Sequence, residues 1–171
     1  MNLILKARDF AREAHDSIGQ KRKYSNQPYW VHPYRVAARV LQRNEANEAM
    51  VAAAFLHDTI EDVPNVTPYI IEREFGSEVA RMVVGLTQYS KQIKSTESRE
   101  KRKVMDLAYL DKQLDDVKII KLEDRFDNIF DIKINDRGFY DKVYRNETLD
   151  LIHIIGYVDE VLKQRIAHIC K

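Results

Sequence analysis

The 171-residue sequence contains little of several residue types, and each shortage excludes a class of structure or function. A single cysteine, Cys170, rules out an intrachain disulfide and favours a reducing, cytoplasmic setting. No apolar run reaches the roughly 18 residues that a membrane-spanning helix needs, and the first residues lack the pattern of a signal peptide. The formal net charge of +1 gives no argument for nucleic-acid binding.

Glycine and proline are also scarce, with five and four residues, and no segment alternates convincingly between apolar and polar residues. This pattern predicts an all-α fold. The length and an apolar content of 44% predict one globular domain over residues 1–171. Helices are expected at about residues 2–16, from His32-Pro33 to near Asn44, 47–62, from Thr67-Pro68 to Gly76, and at 77–89, 104–112, 114–134 and 145–167.

Two acidic fragments follow apolar segments and carry most of the polar groups that a helix would bury. The first is His57-Asp58-Thr59-Ile60-Glu61-Asp62, and the second is Lys121-Leu122-Glu123-Asp124-Arg125-Phe126-Asp127-Asn128. On a helix, residues one apart differ by about 100° and residues four apart share a face. His57 and Asp58 could therefore aim at one point, one turn before Glu61 and Asp62. Buried histidine and aspartate are costly unless they are paired or bind a metal.

With His32 and Asp124, these fragments offer two imidazoles and two carboxylates. Such a mixed shell suits Mn²⁺, Fe²⁺, Co²⁺ or Zn²⁺ better than Ca²⁺ or Mg²⁺ alone. An isolated His–Asp pair is usually a salt-bridged or solvated pair, and it is the combination of fragments that favours a metal site. The other three histidines do not belong to such a group of fragments and are interpreted as core-edge or surface residues: His15, His153 and His168.

The loop from Gly19 to Tyr29 places three consecutive cations, Lys21 to Lys23, just before His32. Arginine can pair with phosphate through two hydrogen bonds or stack on a base, so the loop would suit a phosphorylated, planar ligand. A solvated basic loop explains the same residues about equally well, and the two interpretations stay open at this point.

At these residues the sequence resembles the HD-domain metal phosphohydrolases. Within them it is most similar to the hydrolase domain of RelA/SpoT proteins and to the stand-alone small alarmone hydrolases of the metazoan SpoT homologue type. The matching pieces follow the family order over residues 7–130 or so: Ala14-His15 with Gly19 to Lys23, Pro28 to Pro33, Ala52 to Asp62, Phe75 to Ala80, Val84 to Thr87, and Lys121 to Asn128.

The resemblance implies an all-α, HD-domain helical bundle of about eight to ten helices that holds one Mn²⁺ per chain. It implies hydrolysis of the 3′-pyrophosphate of ppGpp or pppGpp, which yields GDP or GTP. The implied metal ligands are His32, His57, Asp58 and Asp124. Glu61 and Asp62 match the family's water-activating pair. The positions matching nucleotide-binding residues are Arg22, Lys23, Ser25 and Asn128.

Three departures from the family pattern concern the substrate more than the metal. Asn26 stands where glycine is usual, and asparagine tolerates the left-handed conformation that glycine supplies. Glu123 and Asp127 add two carboxylates that would weaken ppGpp binding if they faced the pocket. Another phosphorylated nucleotide is therefore an alternative substrate: a nucleoside monophosphate, a deoxynucleotide or a dinucleotide phosphate. A nucleotide sensor without turnover is a third hypothesis, and the apolar stripe of the final helix could serve a homo-oligomer.

Overall fold

The structure is a computed structural model that describes residues 2–171. Over this range the fold is all-α, as predicted, and the only β pairing is an isolated bridge between Lys21 and Pro28. Nine of the α-helices within residues 2–171 have eight or more residues, which agrees with the predicted eight to ten. No helix in this range is both long and apolar enough to cross a membrane. The chain forms two compact units, Met1–Gln88 and Tyr89–Lys171.

The first unit contains six helices, which correspond to the five predicted helical ranges. They are α1 (Leu3–Ser17), α2 (Val31–Leu41), α3 (Glu48–Leu56), α4 (Thr59–Asp62), α5 (Pro68–Phe75) and α6 (Ser77–Leu86). Side-chain caps explain several of the starts. Asn2 accepts hydrogen bonds from the first turn of α1, Asn47 caps α3, and Thr67 caps α5 with proline next to it. These local signals set the helix boundaries.

Helix α3 forms the centre of the first unit, where it packs against α1, α2 and α6. Its residues Ala49 to Leu56 are all buried, so the helix has almost no solvent-facing side. Ala52, Ala53 and Ala54 have no exposed surface, and their small side chains let the neighbouring helices approach closely. The last residue of α3 is followed directly by His57 and Asp58, which places these polar side chains at the end of a buried element.

The predicted continuous helix over residues 47–62 is wrong in one respect. Helix α3 ends at Leu56, and a separate single turn, α4, begins at Thr59. His57 and Asp58 keep right-handed backbone angles, and the amide of Asp62 still donates to the carbonyl of Asp58 at 2.9 Å. At the break, the hydroxyl of Thr59 donates to the carbonyl of Leu56 at 2.7 Å. This side-chain hydrogen bond competes with the backbone hydrogen bonds that would continue α3.

The second unit begins with α7 (Tyr89–Gln92), α8 (Arg99–Asp111) and α9 (Asp115–Asn135). Helix α8 starts at Arg99 rather than near residue 104, because the Ser98 hydroxyl caps its first turn through the amide of Lys101. The unit continues with α10 (Arg137–Phe139), a π-helical turn (Tyr140–Tyr144), α11 (Arg145–Ile155), a 3₁₀ turn (Gly156–Val158) and α12 (Glu160–Ile169).

The predicted final helix over residues 145–167 is therefore two helices. Asp159 caps α12 by accepting a 2.8 Å hydrogen bond from the amide of Leu162. Gly156 allows the aliphatic part of Lys163 to pass within 2.8 Å of the position that a Cβ would occupy. On α11, Leu149 is half-exposed, whereas Leu151 is buried. That residues 1–171 act as one domain stays a prediction.

Candidate metal centre

Three side chains of the first unit converge at the ends of two helices. His32 lies in the first turn of α2, and His57 and Asp58 follow the last turn of α3. The Nε2 atoms of the two imidazoles are 3.2 Å apart. Oδ2 of Asp58 lies 3.0 Å from Nε2 of His57 and 3.7 Å from Nε2 of His32. The structure thus brings these three side chains together at one point.

The backbone determines which nitrogen of His57 carries the hydrogen. Its Nδ1 lies 2.8 Å from the carbonyl oxygen of Ala54, which can only accept a hydrogen bond. The Nδ1 atom is therefore the donor, and in the neutral ring Nε2 presents a lone pair. This lone pair points towards His32 and the carboxylate of Asp58. Histidine metal ligands typically donate their other ring N–H to a carbonyl or carboxylate, which fixes the ring and its tautomer.

The spacing of these atoms fits a divalent cation. With metal–ligand bonds of about 2.1 Å, neighbouring ligand atoms lie roughly 3.0 Å apart in an octahedral shell and roughly 3.4 Å apart in a tetrahedral one. The three separations of 3.0, 3.2 and 3.7 Å are of this size. Both imidazoles are buried, with at most 1% of their surface exposed, so the group lies out of bulk water. The donor set of two imidazoles and one carboxylate therefore fits the metal that the sequence predicts.

Glu61 and Asp62, the predicted water-activating pair, lie on α4 one turn after Asp58. Oε2 of Glu61 accepts a hydrogen bond of 3.0 Å from the backbone amide of Gln88. Oδ2 of Asp62 accepts one of 2.9 Å from the side-chain amide of Gln20. Both carboxylates are half-buried, so each has one oxygen oriented by a donor and part of its surface open.

The basic loop folds back on itself between α1 and α2. The amide of Arg22 donates to the carbonyl of Gln27 at 2.8 Å, and the amide of Asn26 donates to the carbonyl of Arg22 at 3.0 Å. Asn26 has a φ of 56°, so it takes the left-handed conformation expected where the family pattern has glycine. Arg22 is buried, whereas Lys23 is exposed and lies over the ring of Tyr24. The loop is therefore an ordered turn.

The hydroxyl of Ser25 lies inside this turn. Its oxygen is buried and has no hydrogen-bond partner among residues 2–171. A buried hydroxyl without a partner costs about 1–3 kcal/mol, so it is usually explained by a water or a ligand.

The predicted residues of the second unit lie on α9, where the acidic fragment is buried along most of its length. Oδ1 of Asp124 accepts a hydrogen bond of 2.5 Å from the side-chain amide of Asn128, which confirms that their four-residue spacing brings them together. Oδ2 of Asp124 lies 2.7 Å from Nζ of Lys121. The neighbouring Arg125 donates to Thr148 and lies over the ring of Tyr144.

Sequence analysis missed three residues of the first unit that surround the metal centre. His15 was interpreted as a core-edge or surface histidine, yet it is fully buried and its Nδ1 lies 2.6 Å from Oε1 of Gln20. Burial lowers the pKa of His15 below its ordinary value, and the hydrogen bond with Gln20 partly offsets this effect. Tyr29 donates a hydrogen bond of 2.6 Å to Asp58. Their presence in the family-like segments was the signal that could have found them.

Comparison with known proteins agrees with this geometry. The guanosine-3′,5′-bis(diphosphate) 3′-pyrophosphohydrolase of Aquifex aeolicus is 35% identical over 127 residues, which are 74% of this chain and 17% of that protein. The GTP pyrophosphokinase rsh of Brucella ovis is 35% identical over 131 residues, which are 74% of this chain and 16% of that protein. The chain thus spans about a sixth of the length of these curated relatives.

The fold also matches a solved structure. A metazoan orthologue of SpoT, which hydrolyses ppGpp and plays a role in starvation responses, superimposes with a TM-score of 0.75 at 23% identity. The match covers 96% of each chain and shows a shared fold. In addition, the sequence model of the HD-domain family matches residues 7–151, which include every candidate metal-ligating residue. The chain therefore belongs to the HD-domain family.

Proposed function

We propose that the protein is a metal-dependent phosphohydrolase that removes pyrophosphate from the 3′ position of ppGpp or pppGpp and leaves GDP or GTP. The observation that carries this proposal is the convergence of His32, His57 and Asp58 on one point, with one imidazole lone pair fixed by a backbone carbonyl. The curated relatives add the substrate class, because one of them is a guanosine-3′,5′-bis(diphosphate) 3′-pyrophosphohydrolase.

The proposed metal is Mn²⁺, held by His32, His57 and Asp58 together with Asp124 of the second unit. Asp124 is included because the family resemblance gives it this role and because its carboxylate is buried, as are the two imidazoles. Imidazole and carboxylate ligands suit Mn²⁺ as well as other divalent first-row metals. When bound, such a cation supplies Lewis-acid activation of a water and of a phosphoryl oxygen.

Glu61 and Asp62 are the proposed acid–base residues. In the reaction, a water oxygen forms a bond to the phosphorus attached to the 3′ oxygen, and the bond from that phosphorus to the 3′ oxygen breaks. A carboxylate takes the proton from the water and, as a carboxylic acid, returns a proton to the departing 3′ oxygen. The half-burial of both side chains supports this role, because each accepts a hydrogen bond from the protein and keeps part of its surface exposed.

The polar residues of the loop and of α9 are the proposed contacts to the nucleotide: Arg22, Lys23, Ser25 and Asn128. The cations would neutralise the polyphosphate, and the guanidinium could bind phosphate or stack on the base. The buried, unpartnered hydroxyl of Ser25 supports the proposal that this ordered turn receives a ligand.

We propose that residues 1–171 act as one domain in the cytoplasm on a small-molecule guanosine nucleotide, without a nucleic-acid or membrane partner. The single cysteine, Cys170, is buried and free, which is typical of a reducing compartment. A homo-oligomer is the proposed assembly, in which Val161, 71% exposed on α12, would pack against a second copy.

A second candidate function keeps the fold and the metal and changes the nucleotide. Glu123 and Asp127 are both buried on α9, the helix that also carries Asp124 and Asn128. If these two carboxylates face the substrate, they oppose a polyanion, and a less highly charged nucleotide would then bind better than ppGpp. A nucleoside monophosphate, a deoxynucleotide or a dinucleotide phosphate fits this candidate.

The deciding experiment measures pyrophosphate release from ppGpp with Mn²⁺, beside a chelator control. Release that requires both Mn²⁺ and Asp58 would support the proposal. Asp58→Ala is expected to lose metal binding, whereas Glu61→Ala keeps the metal and loses about 10²- to 10⁴-fold of turnover. Normal hydrolysis by both variants would disprove the site assignment.

A matched substrate panel separates the two candidate functions. Preference for a nucleotide without a 3′-diphosphate would favour the alternative substrate. Tight binding of ppGpp to metal-loaded protein without release of pyrophosphate would instead indicate a sensor. Asp111→Ala, on the exposed end of α8, is a suitable control for the loss of one carboxylate.

A further inference from the structure

Behind the metal centre, the end of α1 is connected to Asp62 by two consecutive side-chain hydrogen bonds. Nδ1 of His15 lies 2.6 Å from Oε1 of Gln20, and Nε2 of Gln20 donates to Oδ2 of Asp62 at 2.9 Å. His15 is fully buried, and Gln20 and Asp62 are half-buried. The three side chains therefore form an ordered chain of hydrogen bonds that ends on a proposed acid–base residue.

The backbone holds the first two members of this chain together. Gly19 has a φ of 60°, a left-handed conformation that reverses the chain directly after α1. The amide of Gln20 consequently donates to the carbonyl of His15 at 3.1 Å. This turn places the side chain of Gln20 between the last turn of α1 and α4.

The chemistry of the carboxylate determines the direction of each hydrogen bond. An ionised carboxylate only accepts, so the amide nitrogen of Gln20 must face Asp62, and its oxygen must face His15. If the amide were reversed, two oxygens would lie 2.9 Å apart without a hydrogen between them. Because the glutamine oxygen only accepts, Nδ1 of His15 carries the hydrogen of the neutral ring.

Tyr29 fixes the histidine from the other side. Its ring centroid lies 4.6 Å from that of His15, and its amide donates to the carbonyl of Gln20 at 3.1 Å. His15 thus has a packed ring, a defined tautomer and no exposed surface. Such a residue can hold a glutamine amide in one orientation.

We propose that His15 and Gln20 are positioning residues that hold the carboxylate of Asp62 in the orientation needed to accept a proton from water. His15 acts through Gln20, and Gln20 acts through Asp62. Neither residue is one of the proposed metal ligands. The inference rests on the proposed function for its kinetic consequence, whereas the hydrogen-bond chain itself can be tested without activity.

The kinetic test uses Gln20→Met, which approximates the side-chain shape and removes both the donor and the acceptor. We expect kcat for ppGpp to fall about 10- to 100-fold, the usual effect of losing an orienting partner, while KM changes less than twofold. The Mn²⁺ affinity, measured by calorimetry, should stay within threefold of the original value. Gln27→Met, an exposed change in the same loop, is the matched control.

A double-mutant cycle with Asp62→Ala tests whether Gln20 acts through Asp62. If it does, Gln20→Met causes no further loss of kcat once the carboxylate is gone. Losses that multiply in the double variant, or a Gln20→Met protein as active as the original, would overturn the proposal.

The second test is spectroscopic and needs no turnover. In ¹⁵N NMR spectra, His15 should show a hydrogen on Nδ1 in the original protein and lose this preference in Gln20→Met. A hydrogen on Nε2, or a signal that Gln20→Met leaves unchanged, would overturn the proposed chain. If the original protein releases no pyrophosphate from any nucleotide, the proposed function fails, and this measurement alone decides the positioning of Gln20.

Discussion

The phenolic hydroxyl of Tyr29 donates a hydrogen bond of 2.6 Å to Oδ2 of Asp58, the same oxygen that lies 3.0 Å from Nε2 of His57. This short bond to a carboxylate is charge-assisted and strongly directional. The ring of Tyr29 also packs edge-on against His32, with centroids 6.0 Å apart. One aromatic residue therefore orients a carboxylate ligand and supports an imidazole ligand.

Tyr29→Phe should weaken metal binding without unfolding the protein. The change removes the donor to Asp58 and keeps the ring, so we expect the Mn²⁺ affinity to fall about 10-fold. Calorimetric titration of the metal-free protein measures this effect. Tyr34→Phe removes the hydroxyl of a half-exposed tyrosine on α2 and serves as the control. Equal affinities for all three proteins would contradict an orienting role for Tyr29.

Substitutions of Asn26 test whether the basic loop requires a left-handed backbone conformation at this position. Its φ of 56° costs an ordinary L-residue about 1–2 kcal/mol, and glycine adopts this conformation without such strain. Asn26→Ala should therefore lower the free energy of unfolding by about 1 kcal/mol, whereas Asn26→Gly should change it by only a few tenths. Urea denaturation of the three proteins gives these values. An Asn26→Ala protein with the same free energy of unfolding as the original would show that the turn relaxes to another conformation.

His15 should make stability depend on pH. Burial lowers its pKa in the folded protein below the value of 6.5 in the unfolded chain, so the unfolded chain binds more protons as the pH falls. The stabilisation is complete above pH 6.5 and is lost as the pH decreases towards the folded pKa, at up to about 1.4 kcal/mol per pH unit. Urea denaturation at pH 7.5 and 5.5, with a chelator present, measures the loss.

The variant His15→Gln removes the titrating group, so its free energy of unfolding should decrease less between these two pH values. His153→Gln removes an exposed imidazole of α11 and should keep the full decrease. The explanation fails if His15→Gln loses as much stability on acidification as the original protein.

The buried carboxylates of α9 make a prediction about substrate affinity. If Glu123 or Asp127 opposes the polyphosphate, Asp127→Asn should lower KM for ppGpp about fivefold, which corresponds to a like-charge repulsion of about 1 kcal/mol. Steady-state kinetics with ppGpp as the substrate measures the change. Asp111→Asn, on an exposed part of α8, should leave KM unaltered. An increase of KM in Asp127→Asn would indicate that this carboxylate supports the site.

Much of the fold could be predicted because the relevant signals are local. Asn47 and Thr67 accept hydrogen bonds from the helices that follow them, and Pro68 stands at the first position of α5. The convergence of His57 and Asp58 was also predictable, since it depends only on helical geometry. The same helical geometry predicts the contact between Asn128 and Asp124 on α9, four residues apart.

The errors arose where packing or a competing cap overrides periodicity. The separation of α11 from α12 depends on Gly156 and on the cap formed by Asp159. In the sequence, the apolar residues on both sides of Asp159 favoured one continuous helix. The role of His15 could not be predicted from spacing, because its partners Gln20 and Tyr29 lie in the irregular loop after α1. A lone histidine on an amphipathic helix carries no sign of such contacts.

The near-complete burial of helix α3 restricts which substitutions the protein can accept during evolution. Because Ala49 to Leu56 are all buried, a larger side chain at any of these eight positions must displace α1, α2 or α6. The same displacement would be transmitted to His57, which follows the helix directly. Substitutions in the centre of this unit are therefore constrained by the geometry of His57, whereas the exposed residues of the loop before His32 can change without moving α3.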